Sequence, residues 1–94
     1  MSSAELPSAA VPRPGPAMAW QIIDGEMVLL DVDGKQLIGV NDVGARIWEL
    51  MDGVRTIADI AHALTEEFDA PLETSMADVR AFLGELVALG AVAL

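Results

Sequence analysis

The single histidine of this sequence, His62, lies in a segment where Asp59, His62 and Glu66 repeat at the spacing of one helical face. A histidine with two carboxylates on one helix face is a set of side chains that can ligate a divalent metal. The same spacing is typical of a solvated helix face, with a contact between His62 and Glu66 one turn apart. Because such a short pattern is weak evidence for a site, we interpret these residues as a solvated face and predict no bound metal.

Nucleophilic catalysis needs an activated serine, cysteine, threonine or lysine that a rigid element holds beside a base. The chain has no cysteine, three of its four serines lie within residues 1–17, and the fourth, Ser75, stands where a helix cap is expected. Neighbouring carboxylates such as Glu66 and Glu67 fit a solvated helix face, and the glycines lack the spacing of a phosphate-binding loop. We therefore predict that the protein is not an enzyme and uses no cofactor.

Size and charge narrow the class of protein further. The chain has 94 residues, of which 53% are hydrophobic, so we expect one small domain held together by packing alone. Fifteen acidic and five basic residues give a net charge of −10, which repels the phosphate backbone of nucleic acids. No apolar run approaches the roughly 20 residues of a membrane span, and no secretion signal opens the chain. We expect a cytoplasmic protein that binds neither nucleic acid nor membrane.

The start of the chain is rich in proline. Four of the five prolines, Pro7, Pro12, Pro14 and Pro16, lie within residues 1–17. Proline fixes an extended backbone and removes a hydrogen-bond donor. We predict that residues 1–17 form an arm that is disordered or lies loosely on a surface, and that residues 18–94 form a folded domain.

Two Asp-Gly pairs, Asp24-Gly25 and Asp33-Gly34, separate runs rich in isoleucine, valine and leucine. Asp-Gly favours the tight turns of β-hairpins, so we predict a three-stranded antiparallel meander between residues 19 and 40. With two-residue turns, one face of the sheet carries Trp20, Ile22, Met27, Leu29, Ile38 and Val40, and this face is expected to cover the core. The other face carries Ile23, Val28, Leu30, Val32 and Leu37. Because that face is also apolar, we expect the arm, a second copy or the chain end to cover it.

The spacing of apolar residues becomes helical after the sheet. Asn41 can cap a first helix that ends before Gly53. Thr56 and Asp59 resemble a capping box at the start of a second helix, and Ser75 is expected to cap a third. The sequence therefore predicts an α+β fold, in which a three-stranded antiparallel sheet is followed by three α-helices.

The third predicted strand lies at an edge of the meander, where its backbone N–H and C=O groups have no neighbouring strand. Its residues are Lys35, Gln36, Leu37, Ile38, Gly39 and Val40. An extended peptide can add a fourth strand at such an edge, although an edge that is merely tolerated or hidden explains the pattern equally well.

The third helix is expected to form the second wall of a groove beside that edge. One flank of the helix carries Asp78, Glu85 and Leu89, and the other carries Met76, Arg80 and Val87. Val79 and Leu83 can form the floor of the groove, although both also fit an ordinary core. The acidic charge of the chain suggests a peptide ligand with some basic residues.

Seven short motifs follow one another along the chain. They are Val28-Leu29-Leu30-Asp31, Gly39-Val40-Asn41, Gly44-Ala45-Arg46-Ile47-Trp48, Asp52-Gly53, Thr56-Ile57-Ala58-Asp59-Ile60, Asp78-Val79-Arg80-Ala81-Phe82-Leu83 and Leu89-Gly90. Over residues 20–94 their order and spacing resemble the PqqD family, the recognition elements of ribosomally made, post-translationally modified peptides.

The resemblance implies a winged-helix-like domain without catalytic activity. It implies that the leader of a precursor peptide pairs with the third strand, lies against the third helix, and is presented to a modifying enzyme. That enzyme would be a radical S-adenosylmethionine enzyme, a protease or a cyclase, in a pyrroloquinoline quinone (PQQ), lasso-peptide or similar pathway. Carried over by position, the strand contributes residues 36–40 and the helix wall lies within residues 78–85. On that wall we expect the peptide to contact Asp78, Val79, Arg80, Phe82, Leu83 and Glu85. Some family members dimerise, so a homodimer is also expected.

Two other functions fit parts of the pattern. A winged-helix DNA-binding or regulatory adapter protein fits the architecture, but the basic residues are scattered and form no basic recognition helix. An acyl-carrier-like role fits the size and acidity, but Ser75 is the one serine near a predicted helix start that could hold a prosthetic arm.

Overall fold

The computed structural model describes residues 6–16, 18–31 and 36–94. The strands are β1 (Arg13–Pro14), β2 (Met18–Ile23), β3 (Glu26–Asp31), β4 (Gln36–Val40) and β5 (Val92–Ala93), and the helices are α1 (Asp42–Leu50), α2 (Ile57–Phe68) and α3 (Leu72–Ala88). β2, β3 and β4 form an antiparallel meander, and β1 pairs with β5 in a separate two-stranded ribbon. The predicted α+β class, with a three-stranded sheet followed by three helices, is confirmed.

The register of the meander follows from its first turn. Asp24 and Gly25 both have positive φ, of 54° and 81°, which is the backbone that a tight two-residue hairpin turn requires. Leu29 consequently pairs with Trp20 on one side and Ile38 on the other, as the sequence predicts. The predicted turn at Asp33-Gly34 lies outside the described residues.

The two predicted helix caps at the start of α1 and α2 are confirmed. The Asn41 side chain accepts a hydrogen bond of 2.8 Å from the backbone N–H of Gly44. Thr56 and Asp59 form a reciprocal capping box, in which each side chain accepts a bond from the other residue's N–H. Each cap satisfies N–H groups that have no partner within the helix, which fixes where the helix begins.

The third helix begins earlier than predicted. Pro71 occupies the N-cap position with an extended backbone, and α3 already starts at Leu72. Ser75 therefore lies inside the helix, where it is buried and its hydroxyl accepts a hydrogen bond of 2.9 Å from that of Thr65. The serine links α2 to α3 instead of capping α3.

The core lies between the sheet and the helices. Its largest fully buried apolar side chains are Leu29, Ile47, Ile57, Ile60, Leu64, Val79, Leu83 and Leu86. α1 contacts β3 and β4, and α2 packs along α3. Among the described residues, no helix is long and apolar enough to cross a membrane.

The helices do not cover the whole of the predicted core face of the sheet. Met27 and Leu29 on β3 are buried, but Trp20 and Ile22, their partners on β2, are 54% and 52% exposed. This face is the core side of the sheet, as the sequence predicts, but Trp20 and Ile22 on it are not buried. α1 contacts β3 and β4, whereas β2 is the outer strand on the far side of β3, so its side chains remain near solvent.

The structure differs from the predicted disorder over residues 6–16. Leu6 belongs to the hydrophobic core, and Pro12 is fully buried. The carbonyl groups of Ala10 and Ser8 accept hydrogen bonds of 2.9 and 3.0 Å from the N–H groups of Ile57 and Ala58. These two N–H groups begin α2 and have no partner within the helix, so an extended backbone beside them is held in place.

The second face of the sheet has no cover in the described part of the chain. Leu37 is 71% exposed there and Ile23 is 48% exposed. The ordered part of the arm and the end of the chain pair with each other, as β1 and β5, instead of lying on this face.

Candidate functional site

The orientation of the backbone groups of β4, the outer strand of the meander, can be derived from the register. In an antiparallel sheet, alternate residues of the middle strand bond to opposite neighbours. The tight turn at Asp24-Gly25 closes on Ile23 and Glu26, which form a hydrogen-bonded pair. Even-numbered β3 residues therefore bond to β2, and odd-numbered β3 residues bond to β4.

β4 consequently directs two of its residues outward. Ile38 and Val40 pair with the odd-numbered Leu29 and Met27, so their N–H and C=O groups bond to β3. Leu37 and Gly39 alternate with them and direct their N–H and C=O groups away from the sheet. Among the described residues, β4 is the last strand in the order β2-β3-β4, so these groups form the free edge of the sheet. We call this set, Leu37 and Gly39, the β4 edge.

A cleft between α1 and α3 lies beyond the end of β4. It has a volume of about 280 Å³ and is lined by Asn41, Val43, Gly44, Ile47, Asp78, Ala81, Phe82 and Glu85. We call it the acidic cleft because Asp78 and Glu85 stand on its α3 wall. The absence of a side chain at Gly44 shapes it, since a Cβ there would lie 2.9 Å from Cε1 of the Phe82 ring.

The acidic cleft is connected to the strand by a second, shallower cleft of about 420 Å³. That cleft is lined by Glu26, Gly39, Val40, Asn41 and Asp42, so the two share Asn41. A continuous surface therefore runs from the β4 edge past Asn41 to the α3 wall. Together the described lining residues include four carboxylates and no basic side chain.

The structure selects one of the two predicted flanks of α3. Asp78, Phe82 and Glu85 line the acidic cleft. Arg80 points the other way, where its Nε donates a 3.2 Å bond to the carbonyl of Leu6 and its Nη2 a 2.9 Å bond to the hydroxyl of Ser8. Arg80 therefore binds the N-terminal segment. It does not line the cleft, where the sequence interpretation placed it.

Two more of the predicted site residues belong to the core. Val79 and Leu83 are fully buried, so neither offers surface to a ligand. Lys35 lies outside the described residues. The sequence interpretation did not include seven of the lining residues, which are Glu26, Asn41, Asp42, Val43, Gly44, Ile47 and Ala81. The position of Ala81 one turn after Asp78 is a signal for the same helix flank.

The predicted strand residues differ in what they expose. Gln36 and Leu37 are exposed, as is Gly39, whereas Ile38 and Val40 are partly buried and pack against the core. A peptide beside β4 would thus contact backbone on the strand and side chains on α3.

The clearest shifts of pKa occur in ion pairs and caps outside the two clefts. The Arg46 guanidinium, which donates bonds of 2.7 and 2.9 Å to Glu67, lowers the pKa of that carboxyl. The backbone N–H of Thr56 lowers the pKa of Asp59. One carboxylate oxygen of Asp59 is engaged in the capping box, and the described residues contain no group of three potential ligands that could hold a metal ion.

Comparisons with known proteins identify the family of the chain. A family model described as Coenzyme PQQ synthesis protein D (PqqD) matches residues 26–92, which is more than half of the chain. A PqqA binding protein of Rhizobium meliloti (strain 1021) is 38% identical over 64 residues. The alignment covers 68% of this chain and 63% of that protein, so the chain spans less than two thirds of the relative's length.

Solved structures share the fold over almost the whole chain. A lasso peptide synthetase B1 complexed with its leader peptide superimposes with a TM-score of 0.80 at 27% identity, covering 90% of this chain and 100% of that chain. TbiB1 in complex with the TbiA(beta) leader peptide gives 0.76 at 29% identity, covering 85% and 93%. The PqqD truncation of Methylobacterium extorquens PqqCD gives 0.83 and covers both chains completely, and at 22% identity it supports the fold alone.

Proposed function

This chain belongs to the PqqD family, and we propose that it binds the leader of a ribosomally made precursor peptide by strand addition at the β4 edge. The leader runs antiparallel or parallel to β4 and bonds to the outward N–H and C=O groups of Leu37 and Gly39. It then continues past Asn41 into the acidic cleft. The observation that carries the proposal is the continuity of that free edge with a cleft between α1 and α3.

Backbone pairing provides affinity for any extended peptide, so selectivity must come from side chains. Asp78 and Glu85 attract a basic leader residue, and the partly buried ring of Phe82 between them offers an apolar surface. The net charge of −10 adds a longer-range attraction that salt screens beyond about 8 Å. We therefore expect the preferred leader to combine an extended stretch with a basic residue near an apolar one.

The relatives support this assignment. The two similar structures with 27% and 29% identity are complexes with leader peptides, and the 38% identical relative is a PqqA binding protein. In our proposal the chain itself carries out no chemical step. It presents the bound precursor to a modifying enzyme of the same pathway, which would be a radical S-adenosylmethionine enzyme in PQQ synthesis or a protease or cyclase in lasso-peptide synthesis. A cytoplasmic location and a homodimer stay predictions.

The test is to titrate the ¹⁵N-labelled chain with leader peptides of precursors encoded beside its gene and to follow the backbone amide signals. We expect saturable changes at residues 36–40 and along the α3 wall from Asp78 to Glu85. Amides of α2, such as that of His62, serve as the control because α2 lines neither cleft. Binding that moves α2 but leaves residues 36–40 unchanged would contradict the proposed site.

A further inference from the structure

A second cleft lies at the opposite margin of the sheet, where β2 is the outer strand. It has a volume of about 410 Å³ and is lined by Pro14, Met18, Trp20, Trp48, Glu49 and Met51. We call it the tryptophan cleft. It shares no lining residue with the clefts of the proposed peptide site.

The lining residues of the tryptophan cleft come from β1, from β2 and from the C-terminal end of α1. Trp48 on α1 and Met51 just after it are buried and form the floor. Trp20 on the outer strand β2 is 54% exposed. Pro14 is fixed on the remaining side by the pairing of β1 with β5. The lining residues therefore lie on ordered backbone, although the large aromatic residue Trp20 is about half exposed to solvent.

The lining chemistry favours a flat cation. Both tryptophans of the chain line the cleft, and the face of an indole ring attracts a cation placed over it. The two methionines add polarizable thioethers, and Glu49 is the single charged residue of the lining. An arginine guanidinium combines a planar surface that stacks on aromatic rings with donors that suit a carboxylate, whereas a lysine ammonium is a compact, strongly hydrated charge.

Glu49 is available for such a contact. Its bond to Nη1 of Arg46 is 3.4 Å long, whereas Arg46 donates its shorter bonds, of 2.7 and 2.9 Å, to Glu67. The side chains of Arg46 and Glu49 are both more than one third exposed, so their contact contributes little and is easily exchanged. Arg46 keeps its bidentate partner when Glu49 turns toward the cleft.

We propose that the tryptophan cleft is a docking site for an arginine side chain on the surface of a second protein. The net charge of −10 favours a partner protein that is basic on the surface that contacts the tryptophan cleft. Because the cleft and the β4 edge lie at opposite margins of the sheet, a protein docked on β2 leaves β4 free to hold a peptide. The two sites can thus be occupied at once, and each can be tested without the other.

The first test uses N-acetyl-arginine-methylamide as the probe and its citrulline analogue, which has nearly the same shape without the charge, as the control. In ¹H–¹⁵N spectra of the full chain, we expect the indole N–H signals of Trp20 and Trp48 to move saturably with the arginine probe and much less with citrulline. The amide signal of His62 on α2, which lines none of the clefts, should not move. Equal shifts with both probes, or no indole shift, would overturn the proposal.

Matched variants separate a specific contact from a general attraction to an acidic protein. Glu49→Gln removes the lining carboxylate. Glu66→Gln removes another exposed carboxylate, which lies on α2 outside the cleft. We expect Glu49→Gln to weaken arginine binding by up to about fivefold and Glu66→Gln to leave it unchanged. Trp20→Leu, followed through the Trp48 indole, should weaken it by about two- to fivefold. Equal weakening by the two glutamate variants would show diffuse attraction alone.

Discussion

A proline in place of Leu37 tests whether a peptide bonds to the outward side of β4. The N–H of Leu37 points away from β3, and its side chain is 71% exposed on the uncovered face of the sheet. Proline removes this donor but no bond between β3 and β4, and an edge strand tolerates proline when the missing N–H faced solvent. Ile38→Pro is unsuitable because the N–H of Ile38 bonds to β3.

The expected loss of affinity can be worked from one hydrogen bond. A backbone bond contributes about 0.5–1.5 kcal/mol, so Leu37→Pro should weaken leader binding by at least about two- to tenfold. The proline ring also occupies the space where the added strand approaches, which can only increase the loss. Leu37→Ala removes the side chain and keeps the donor, so it should bind almost as the parent chain does.

The assay is isothermal titration of the same leader peptide into the parent chain and both variants. Circular dichroism and thermal unfolding must first show that the proline variant retains the fold. If folded Leu37→Pro binds as tightly as Leu37→Ala, the leader does not use this donor, and strand addition at β4 is refuted.

Three further predictions concern the cleft and the helix caps. The double variant Asp78→Asn/Glu85→Gln should bind a leader with basic residues more weakly and with less dependence on salt, measured by titration at two ionic strengths; an unchanged salt dependence would contradict the role of these carboxylates. Thr56→Ala should lower the free energy of unfolding by about 1 kcal/mol in denaturant titrations, because α2 loses its cap; an unchanged midpoint would show that the cap is dispensable. Since the pKa of Asp59 is lowered in the folded chain, its stabilising contribution is full above its ordinary value of 3.8 and is lost as the pH falls through the lower folded value; the acid loss of stability should be smaller in Asp59→Asn, which has no carboxyl to titrate, and an equal loss would argue against this linkage.

Local signals in the sequence were sufficient for the sheet register and two of the helix starts. An Asp-Gly turn imposes its own backbone geometry, and the pairing of β2 with β3 follows from it. Asn41 and Thr56 satisfy N–H groups three residues away, so their role can be recognised within one turn of helix. The β4 edge follows from the strand order of the described meander.

The order of the N-terminal segment, the orientation of α3 and the exposure of Trp20 depend on contacts between distant parts of the chain. The N-terminal segment is ordered because its carbonyl groups accept bonds from α2, and a backbone carbonyl has no residue-type signature. The cleft-facing flank of α3 was ambiguous from spacing alone, and the bond from Arg80 to Leu6, 74 residues away, identifies the opposite flank as the one facing the arm. Alternation along β2 predicted which face Trp20 occupies, but not that α1 stops short of covering it.

Hydrogen exchange at the β4 edge tests the central claim most directly. In the free chain, the amides of Leu37 and Gly39 should exchange quickly, while that of Ile38, bonded to β3, should be slower. Saturation with a leader peptide should slow Leu37 and Gly39 strongly and change Ile38 less, because an added strand bonds to alternate residues. Fast exchange at Leu37 and Gly39 in the saturated complex would contradict strand addition.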